Sequence, residues 1–145
     1  TAPQYVRNLQ REGVAIHGLR HPNIVRAIDM DPYADPPYLI MEYVDGPSLG
    51  AAAKDHHLDL DSRLRLMQEA STALAYAHRQ GIIHLDIKPD NRMADASGHV
   101  KILDFGIARL TNDPSTRTNG MAGTLRYMAP EQLAGEPPDN RSDVF

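Results

Sequence analysis

Cysteine is absent from this chain of 145 residues. Disulfide frameworks and cysteine-based zinc sites are therefore excluded, and the composition fits a reducing compartment. Lysine and arginine are scattered rather than clustered, and the net charge is only −4. Because nucleic-acid binding needs a basic patch, we expect no nucleic-acid partner.

Long apolar runs are also missing. The longest, YLIMEYV at residues 38–44, is interrupted by Glu42 and is far too short to span a bilayer. The first residues, TAPQYVRNLQ, lack the apolar segment of a signal peptide. We expect no membrane contact within this segment. The final residues, RSDVF, carry no helix stop or turn chemistry, so both ends are expected to be cuts through a larger domain.

Hydrophobic spacing predicts mixed helices and strands, and thus an α+β chain. A helix is expected over 6–19, ending before the sequence RHPNIV. Two strands are expected at 24–30 and 37–44, because the segment between them, DPYADPP, is too rich in proline for regular structure. A turn and a short helix follow within 45–54.

The clearest helix spans 58–81, where Asp59 or Asp61 can cap the first turn and Gly81 marks the stop. One face of this helix is predicted to be the buried one, with Leu60, Leu64, Met67, Leu74 and Ala77. Further on, the turn DASG precedes a short alternating strand, HVKILDF, at 99–105. Residues 106–126 are polar without a clear period, which is typical of a long functional loop.

Three short motifs follow one another in a fixed order. HLDIKPDN contains Asp86, DFG begins at Asp104, eighteen positions later, and APE ends at Glu131, twenty-seven positions after that. Any one of them alone is weak evidence, but the ordered set is specific. Together with HPNIV, YLIMEYVDGPSL and GTLRYMAPEQLAGE, it resembles the eukaryotic-type protein kinases, and in particular the bacterial serine/threonine kinases.

The resemblance implies a partial protein-kinase-like two-lobe fold. Residues 1–44 would form the C-terminal part of the N-lobe, and 45–145 the mainly helical first half of the C-lobe. The implied activity of the parent protein is transfer of the ATP γ-phosphate to serine or threonine hydroxyls of protein substrates, with ATP and Mg²⁺ as cofactors. A cytoplasmic location is implied for this segment, and the oligomeric state is left open.

Four residues carry the implied chemistry. Asp86 would accept or orient the proton of the substrate hydroxyl, and Lys88 would place a positive charge near the transferring phosphate. Asn91 and Asp104 would offer oxygen ligands to Mg²⁺, which binds few protein groups and completes its shell with phosphate and water. For each, the alternative is an ordinary turn or strand-end residue.

The resemblance also assigns a nucleotide site. The backbone of Glu42 to Val44 would bond the edge of the adenine ring as the hinge between the lobes, and Met93 would lie beneath the ring. Asn91 and Asp104 would belong to the cofactor site through Mg²⁺. The alternative for the apolar members is ordinary core packing.

The remaining assignments are structural or regulatory. Glu12 would pair with a lysine of the N-lobe, and His84 would pack beneath Phe105 rather than transfer protons. Thr124 would contact the catalytic aspartate and lysine. Thr116 and Thr118 are expected phosphorylation sites, where a phosphate would add up to about two negative charges. Glu131 and Asp143 are expected to lack their usual partners, because these would lie beyond the last residue.

Two positions depart from the family pattern. Leu85 stands where the family usually has an arginine that receives the activation-loop phosphate, which weakens the case for a phosphorylation switch. Arg92 replaces an apolar residue expected under the adenine site, where an unpaired buried charge would cost several kcal/mol. Arg92 therefore favours a degraded nucleotide site.

Alternatives to a working kinase follow from these departures. No GxGxxG loop or strand lysine of the VAIK type occurs within the 145 residues. A pseudokinase acting as a binding or scaffolding module therefore stays open. A small-molecule phosphotransferase is disfavoured, because GTLRYMAPE resembles a loop that receives a peptide.

Overall fold

An antiparallel hairpin forms near the start of the described chain. The computed structural model describes four stretches, residues 16–54, 58–103, 125–136 and 138–145. Strand β1 (Ala27–Asp31) pairs with β2 (Tyr38–Met41). Between them, the Asp31 carboxylate accepts hydrogen bonds from the backbone N–H groups of Tyr33 and Ala34, at 2.9 and 3.1 Å. Both predicted strands are confirmed, although each is shorter than the sequence pattern indicated.

Two helices follow, and side-chain caps set where each begins. Helix α1 (Leu49–Lys54) starts after Ser48, whose hydroxyl accepts a hydrogen bond from the backbone N–H of Ala51 at 3.2 Å. Helix α2 (Leu60–Arg79) starts after Asp59, whose carboxylate accepts from the backbone N–H of Ser62 at 2.8 Å. A cap of this kind satisfies an N–H group that has no partner inside the helix. The expected short helix and the Asp59 cap are confirmed.

Gly81 ends helix α2, also as predicted. Its φ of +76° lies in the left-handed region, which glycine adopts without the steric cost of a Cβ atom. The chain can therefore turn away from the helix axis directly after Arg79 and Gln80, and it enters the segment that carries the first polar motif.

The buried face of α2 is a stripe of small residues, not the predicted Leu and Met face. Leu60, Leu64 and Met67 are 70%, 59% and 54% exposed, so this part of the prediction is wrong. The buried positions are Leu66, Ala70, Ala73 and Ala77, of which only Ala77 belongs to the predicted face. Alanine side chains let a helix approach a sheet closely, and here the stripe packs with β4. Leu74 and Ala77 of the predicted set do contact the core.

A second hairpin forms the other half of the core. Strand β3 (Arg92–Ala94) pairs antiparallel with β4 (Val100–Ile102). The turn is closed by Asp95, whose carboxylate accepts from the N–H groups of Ser97 and His99 at 2.9 and 3.0 Å. The predicted turn and the strand after it are confirmed, whereas β3 was not predicted.

The segment at 16–25 joins this second hairpin. Val25 donates to the Ile102 carbonyl, and the Ile102 N–H donates to the Asn23 carbonyl, both at 2.9 Å. The predicted helix over 6–19 lies mostly outside the described residues, but Ile16 and Leu19 at its end are buried. Val100 and Ile102 have no exposed surface. Burial of such a side chain stabilises a fold by about 1.5–3 kcal/mol.

The chain ends in short helical pieces. Helix α3 (Pro130–Ala134) is followed by a 3₁₀ turn, Asn140–Asp143, and another 3₁₀ turn, Pro89–Asn91, precedes β3. Within the described ranges, no helix combines the length and the apolar content that crossing a membrane requires. The long loop predicted at 106–126 lies almost entirely outside the described residues.

Candidate active site

The loop after α2 brings three predicted catalytic residues together. The Asn91 side-chain amide donates hydrogen bonds to the Asp86 backbone carbonyl and to Asp86 Oδ2, both at 2.9 Å. Lys88 Nζ lies 3.4 Å from the same Oδ2. The 3₁₀ turn Pro89–Asn91 makes this possible, because it folds the chain back within five residues. The Asp86 carboxylate is thus positioned from two sides.

The other oxygen of this carboxylate is the most unusual atom of the site. Asp86 Oδ1 is buried and has no hydrogen-bond partner in the part of the chain that the structure describes. Buried carboxylate oxygens normally accept hydrogen bonds, because leaving one unsatisfied costs at least 1–3 kcal/mol, roughly. An orphaned acceptor beside a lysine and an amide is therefore suited to receive a proton-donating ligand.

His84 is a structural residue in this arrangement. It is only 1% exposed. Its Nδ1 accepts from the Asp86 backbone N–H at 3.1 Å, and its Nε2 lies 2.6 Å from the Leu103 carbonyl. Since a carbonyl can only accept, Nε2 carries the proton and the ring is held in one tautomer. Both ring nitrogens are engaged, which supports the predicted structural role.

Asp143 fixes the backbone on which this loop is built. Its Oδ2 accepts from the His84 N–H at 2.8 Å, and its Oδ1 from the Leu85 N–H at 2.7 Å. His78 Nε2 is 2.7 Å from Oδ2, and the Asp143 side chain has no exposed surface. The expectation that Asp143 lacks partners in this chain is wrong, because the loop itself supplies them.

Leu85 adopts a strained conformation between two such contacts. Its φ is +67°, in the left-handed region that costs a non-glycine residue roughly 1–3 kcal/mol. Its N–H donates to Asp143, and its carbonyl accepts from Gln132 Nε2 at 3.2 Å. The second contact ties α3 to the loop.

Glu131 also has a partner within the chain. Its carboxylate accepts a hydrogen bond from the Ser142 hydroxyl. This hydrogen bond is the main cause that holds the pKa of Glu131 below its usual value. Glu131 therefore has a partner within the chain in addition to the usual one expected beyond the last residue, and the motif containing it is joined to the turn that carries Asp143.

The predicted hinge residues lie between the two hairpins. The Glu42 backbone N–H donates to the Arg26 carbonyl at 2.9 Å, which leaves its own carbonyl as the group it could offer to a ligand. Val44 is buried, and Met93 forms an isolated backbone bridge with Ser48. Glu42 and Val44 follow β2 directly, whereas Met93 lies in strand β3.

Arg92 is partly buried against helix α2. Its guanidinium Nη1 is 3.8 Å from the sulfur of Met67 on α2. Successive residues of a strand point to opposite faces, so Arg92 and Met93 leave β3 on different sides. Burial lowers the pKa of Arg92, and the nearby Tyr127 raises it to a smaller extent. Arg92 Nε is buried and has no hydrogen-bond partner within the described residues, so the desolvation cost expected for this arginine is present.

Six predicted residues lie outside the described residues: Glu12, Asp104, Phe105, Thr116, Thr118 and Thr124. The residue before Asp104 is described. Its backbone N–H, that of Leu103, donates to the Asn91 carbonyl at 2.9 Å. The chain entering the DFG motif is thus bonded to the residue predicted to share its metal.

Three residues of the site were missed by sequence reasoning. They are His78, Gln132 and Ser142, to which the sequence analysis assigns no role at the site. Each acts by contact with a residue far away in the sequence, and none has a distinctive spacing within its own segment. For two of them a signal was available: His78 lies in HRQGIIH and Gln132 in APEQL, directly beside the recognised motifs.

Comparison with known proteins agrees with this geometry. The protein kinase domain family matches residues 2–145. Serine/threonine-protein kinase PknB of Mycobacterium leprae (strain TN) is 39% identical over 150 aligned residues, covering 99% of this chain and 24% of that protein. Serine/threonine-protein kinase PrkC of Bacillus subtilis (strain 168) is 36% identical over 144 residues, covering 98% and 22%.

A solved structure is also similar. The crystal structure of the Mycobacterium tuberculosis PknI kinase domain superposes with a TM-score of 0.75 at 30% identity, over 97% of this chain and 51% of that one. The chain belongs to the protein kinase domain family, and its relatives are bacterial serine/threonine kinases. It spans about a quarter of the length of the curated relatives it matches.

Proposed function

We propose that the protein containing this chain transfers the γ-phosphoryl group of ATP to serine or threonine hydroxyls of protein substrates. The observation that carries the proposal is the Asp86 carboxylate. Asn91 holds one oxygen at 2.9 Å, Lys88 lies 3.4 Å from it, and the other oxygen is buried without a partner in the described residues. Named serine/threonine kinases among the relatives support the same reaction.

Each residue has a role that its chemistry allows. Asp86 Oδ1 would accept the hydrogen bond of the substrate hydroxyl and orient its oxygen for attack. Proton transfer by a positioned carboxylate contributes about 10²–10⁴-fold to a rate. Lys88 would place its positive charge beside the transferring phosphate, because its ammonium group is carried on a flexible side chain.

The residues also fit the cofactors of this family. When bound, ATP supplies the phosphoryl group and Mg²⁺ neutralises part of its charge. Because both hydrogen bonds of the Asn91 amide nitrogen go to Asp86, its carbonyl oxygen is the group available to a hard cation. Asp104 would be the second ligand. Glu42, Val44 and Met93 would line the adenine site, with Glu42 contributing its backbone carbonyl.

The regulatory assignments are part of the same proposal. Glu12 would pair with an N-lobe lysine, Phe105 would pack on His84, and Thr124 would contact the catalytic pair. Thr116 and Thr118 would be phosphorylated, with a modest effect because Leu85 offers no charge to the phosphate. A cytoplasmic location fits the use of ATP and the absence of cysteine.

The test is an Asp86→Asn variant of the intact protein, assayed with radiolabelled ATP and a protein substrate. We expect transfer to fall by about 10²-fold or more while nucleotide affinity changes little. Asp90→Asn is the matched control, because Asp90 is an exposed aspartate of the same loop. Transfer at the wild-type rate by Asp86→Asn would show that Asp86 is not the base.

A further inference from the structure

A cleft of about 480 Å³ opens on a part of the surface that does not include Asp86, Lys88 or Asn91. It is bordered by the 16–25 segment and strand β4. The residue before β1 and the residue after β2 complete its wall. Its lining residues are Leu19, Arg20, His21, Pro22, Ile24, Arg26, Glu42 and Lys101.

The charges lining this cleft are mostly positive. Lys101 Nζ is 3.2 Å from Glu42 Oε1, so these two charges largely cancel. Arg20 and Arg26 are left, and within the described ranges neither guanidinium has a carboxylate at ion-pair distance. The cleft therefore has an excess of two positive charges on a chain whose net charge is −4.

Two side chains of the cleft wall, those of Arg20 and His21, are held in place. The Arg20 backbone N–H donates to the Tyr76 hydroxyl at 3.0 Å, and its guanidinium Nη1 donates to the His17 carbonyl at 2.9 Å. A carbonyl orders the guanidinium without neutralising it. The His21 ring packs on Tyr76 with ring centroids 5.3 Å apart. Little ordering entropy would therefore be lost at Arg20 and His21 when a ligand binds here.

His21 adds a neutral hydrogen-bond donor to the cleft, and nearby positive charges affect its pKa. Burial lowers the pKa of His21, and the charges of Arg79 and Lys101 lower it further. The ring is therefore neutral near pH 7. Its Nδ1 accepts from the Asn23 N–H at 3.1 Å, so the proton lies on Nε2, which can donate to an anion.

We propose that this cleft binds the phosphoryl group of a phosphorylated peptide. Two guanidinium groups match the charge of a phosphate monoester, about −1.5 to −2 near pH 7, and their planar forks suit its oxygens. The cleft is a single concave site rather than a basic stripe, which favours a peptide side chain over a nucleic acid. The proposal does not rest on the proposed phosphoryl transfer.

The test measures fluorescence anisotropy of a short labelled peptide with one phosphothreonine among alanines and glycines, added to the intact protein at low salt. We expect Arg20→Gln and Arg26→Gln each to weaken binding by about tenfold. Glu42→Gln removes the opposing charge and should tighten it. Added salt should weaken binding, because the contacts are electrostatic.

Three comparisons make the result decisive. Arg141→Gln, which changes an exposed arginine elsewhere, and Lys88→Gln, which changes the catalytic loop, should leave peptide affinity unchanged. Wild-type affinity in both cleft arginine variants would overturn the proposal, as would a loss confined to Lys88→Gln. Equal displacement of the peptide by inorganic phosphate and by unlabelled phosphopeptide would overturn the peptide assignment. If an arginine variant does not fold, the direction of change in Glu42→Gln decides.

Discussion

His78 and Asp143 are 65 residues apart in the sequence, yet His78 Nε2 lies 2.7 Å from Asp143 Oδ2. The same carboxylate accepts the backbone N–H groups of His84 and Leu85. The end of α2, the loop that carries Asp86 and the last 3₁₀ turn are therefore joined at one buried side chain. The geometry of Asp86 depends on this junction, because Leu85 is the residue before it.

The first prediction concerns Asp143→Ala. The substitution leaves the His84 and Leu85 N–H groups without their acceptor, in a place where His84 is 1% exposed. Each unsatisfied buried donor costs about 1–3 kcal/mol, so we expect the free energy of unfolding to fall by about 3 kcal/mol or more. Denaturant unfolding of the intact protein measures it. Arg141→Ala, at an exposed neighbour, is the control, and equal losses in both variants would contradict the role given to Asp143.

The second prediction concerns His78→Ala. Here the backbone donors keep their acceptor, and only one hydrogen bond to a charged group is lost. We expect a smaller loss of stability, about 1.5–3 kcal/mol. The double variant with Asp143→Ala should then lose less than the sum of the two single losses, because the partners share one interaction. An additive double variant would show that the two residues act independently.

The sequence predicted the local elements of this fold better than their packing. The first hairpin, the turn before β4, the Asp59 cap and the Gly81 stop depend on neighbouring residues and were correct, whereas β3 was missed. The buried face of α2 was wrong, because both the Leu and Met stripe and the Ala stripe have helical spacing. Only the tertiary fit of α2 to β4 selects between them.

The site shows the same division. Asp86, Lys88 and Asn91 were predicted as a group because they lie within six positions and match an ordered motif set, and the structure brings them together. The partners of Asp143 and Glu131 were not, since His78 and Ser142 become relevant only through long-range contacts. The contact of Arg92 with Met67 on α2 was not predicted for a related reason, because no pattern within β3 specifies that neighbour.

The third prediction concerns Gly46, at which a Cβ atom would lie 1.8 Å from the Ala94 carbonyl oxygen. The atoms that the Cβ would meet belong to the backbone of Ala94 and Asp95. The two backbone segments must therefore move apart before position 46 can accept any side chain. We expect Gly46→Ala to cost about 1–3 kcal/mol or more of unfolding free energy. Gly81→Ala is the comparison: its new Cβ meets no atom within 4 Å, and only its φ of +76° is unfavourable, at about 1–2 kcal/mol. A smaller loss at Gly46 than at Gly81 would contradict the close approach.

The fourth prediction concerns the proposed phosphorylation sites. Leu85 carries no charge to receive a phosphate, so phosphorylation cannot act through an ion pair at that position. We expect the double variant Thr116→Ala with Thr118→Ala to change the kinase activity of the intact protein only modestly. Steady-state assays with the wild-type protein in parallel measure this. Complete loss of activity would contradict the argument from Leu85.

The fifth prediction is a pH dependence at Glu42. Burial raises the pKa of Glu42, but hydrogen bonds from the Arg26 N–H and from Lys101, with the charges of both residues, outweigh it, so the pKa lies below the usual 4.5. A carboxylate whose pKa is lowered by folding stabilises the fold at pH values above the pKa that it has in the unfolded chain. That contribution disappears as the pH falls through the lower, folded value.

Glu42→Gln should therefore destabilise the protein by about 0.5 kcal/mol at pH 7, the scale of a partly exposed ion pair. The difference from wild type should shrink as the pH falls below 4.5. Glu136→Gln, at an exposed glutamate, is the control for the general effect of losing one negative charge. A stability difference between the variant and the wild type that grows toward acidic pH would contradict this prediction. It would show that the Glu42 carboxylate is not stabilised by Lys101, although the two side chains lie 3.2 Å apart.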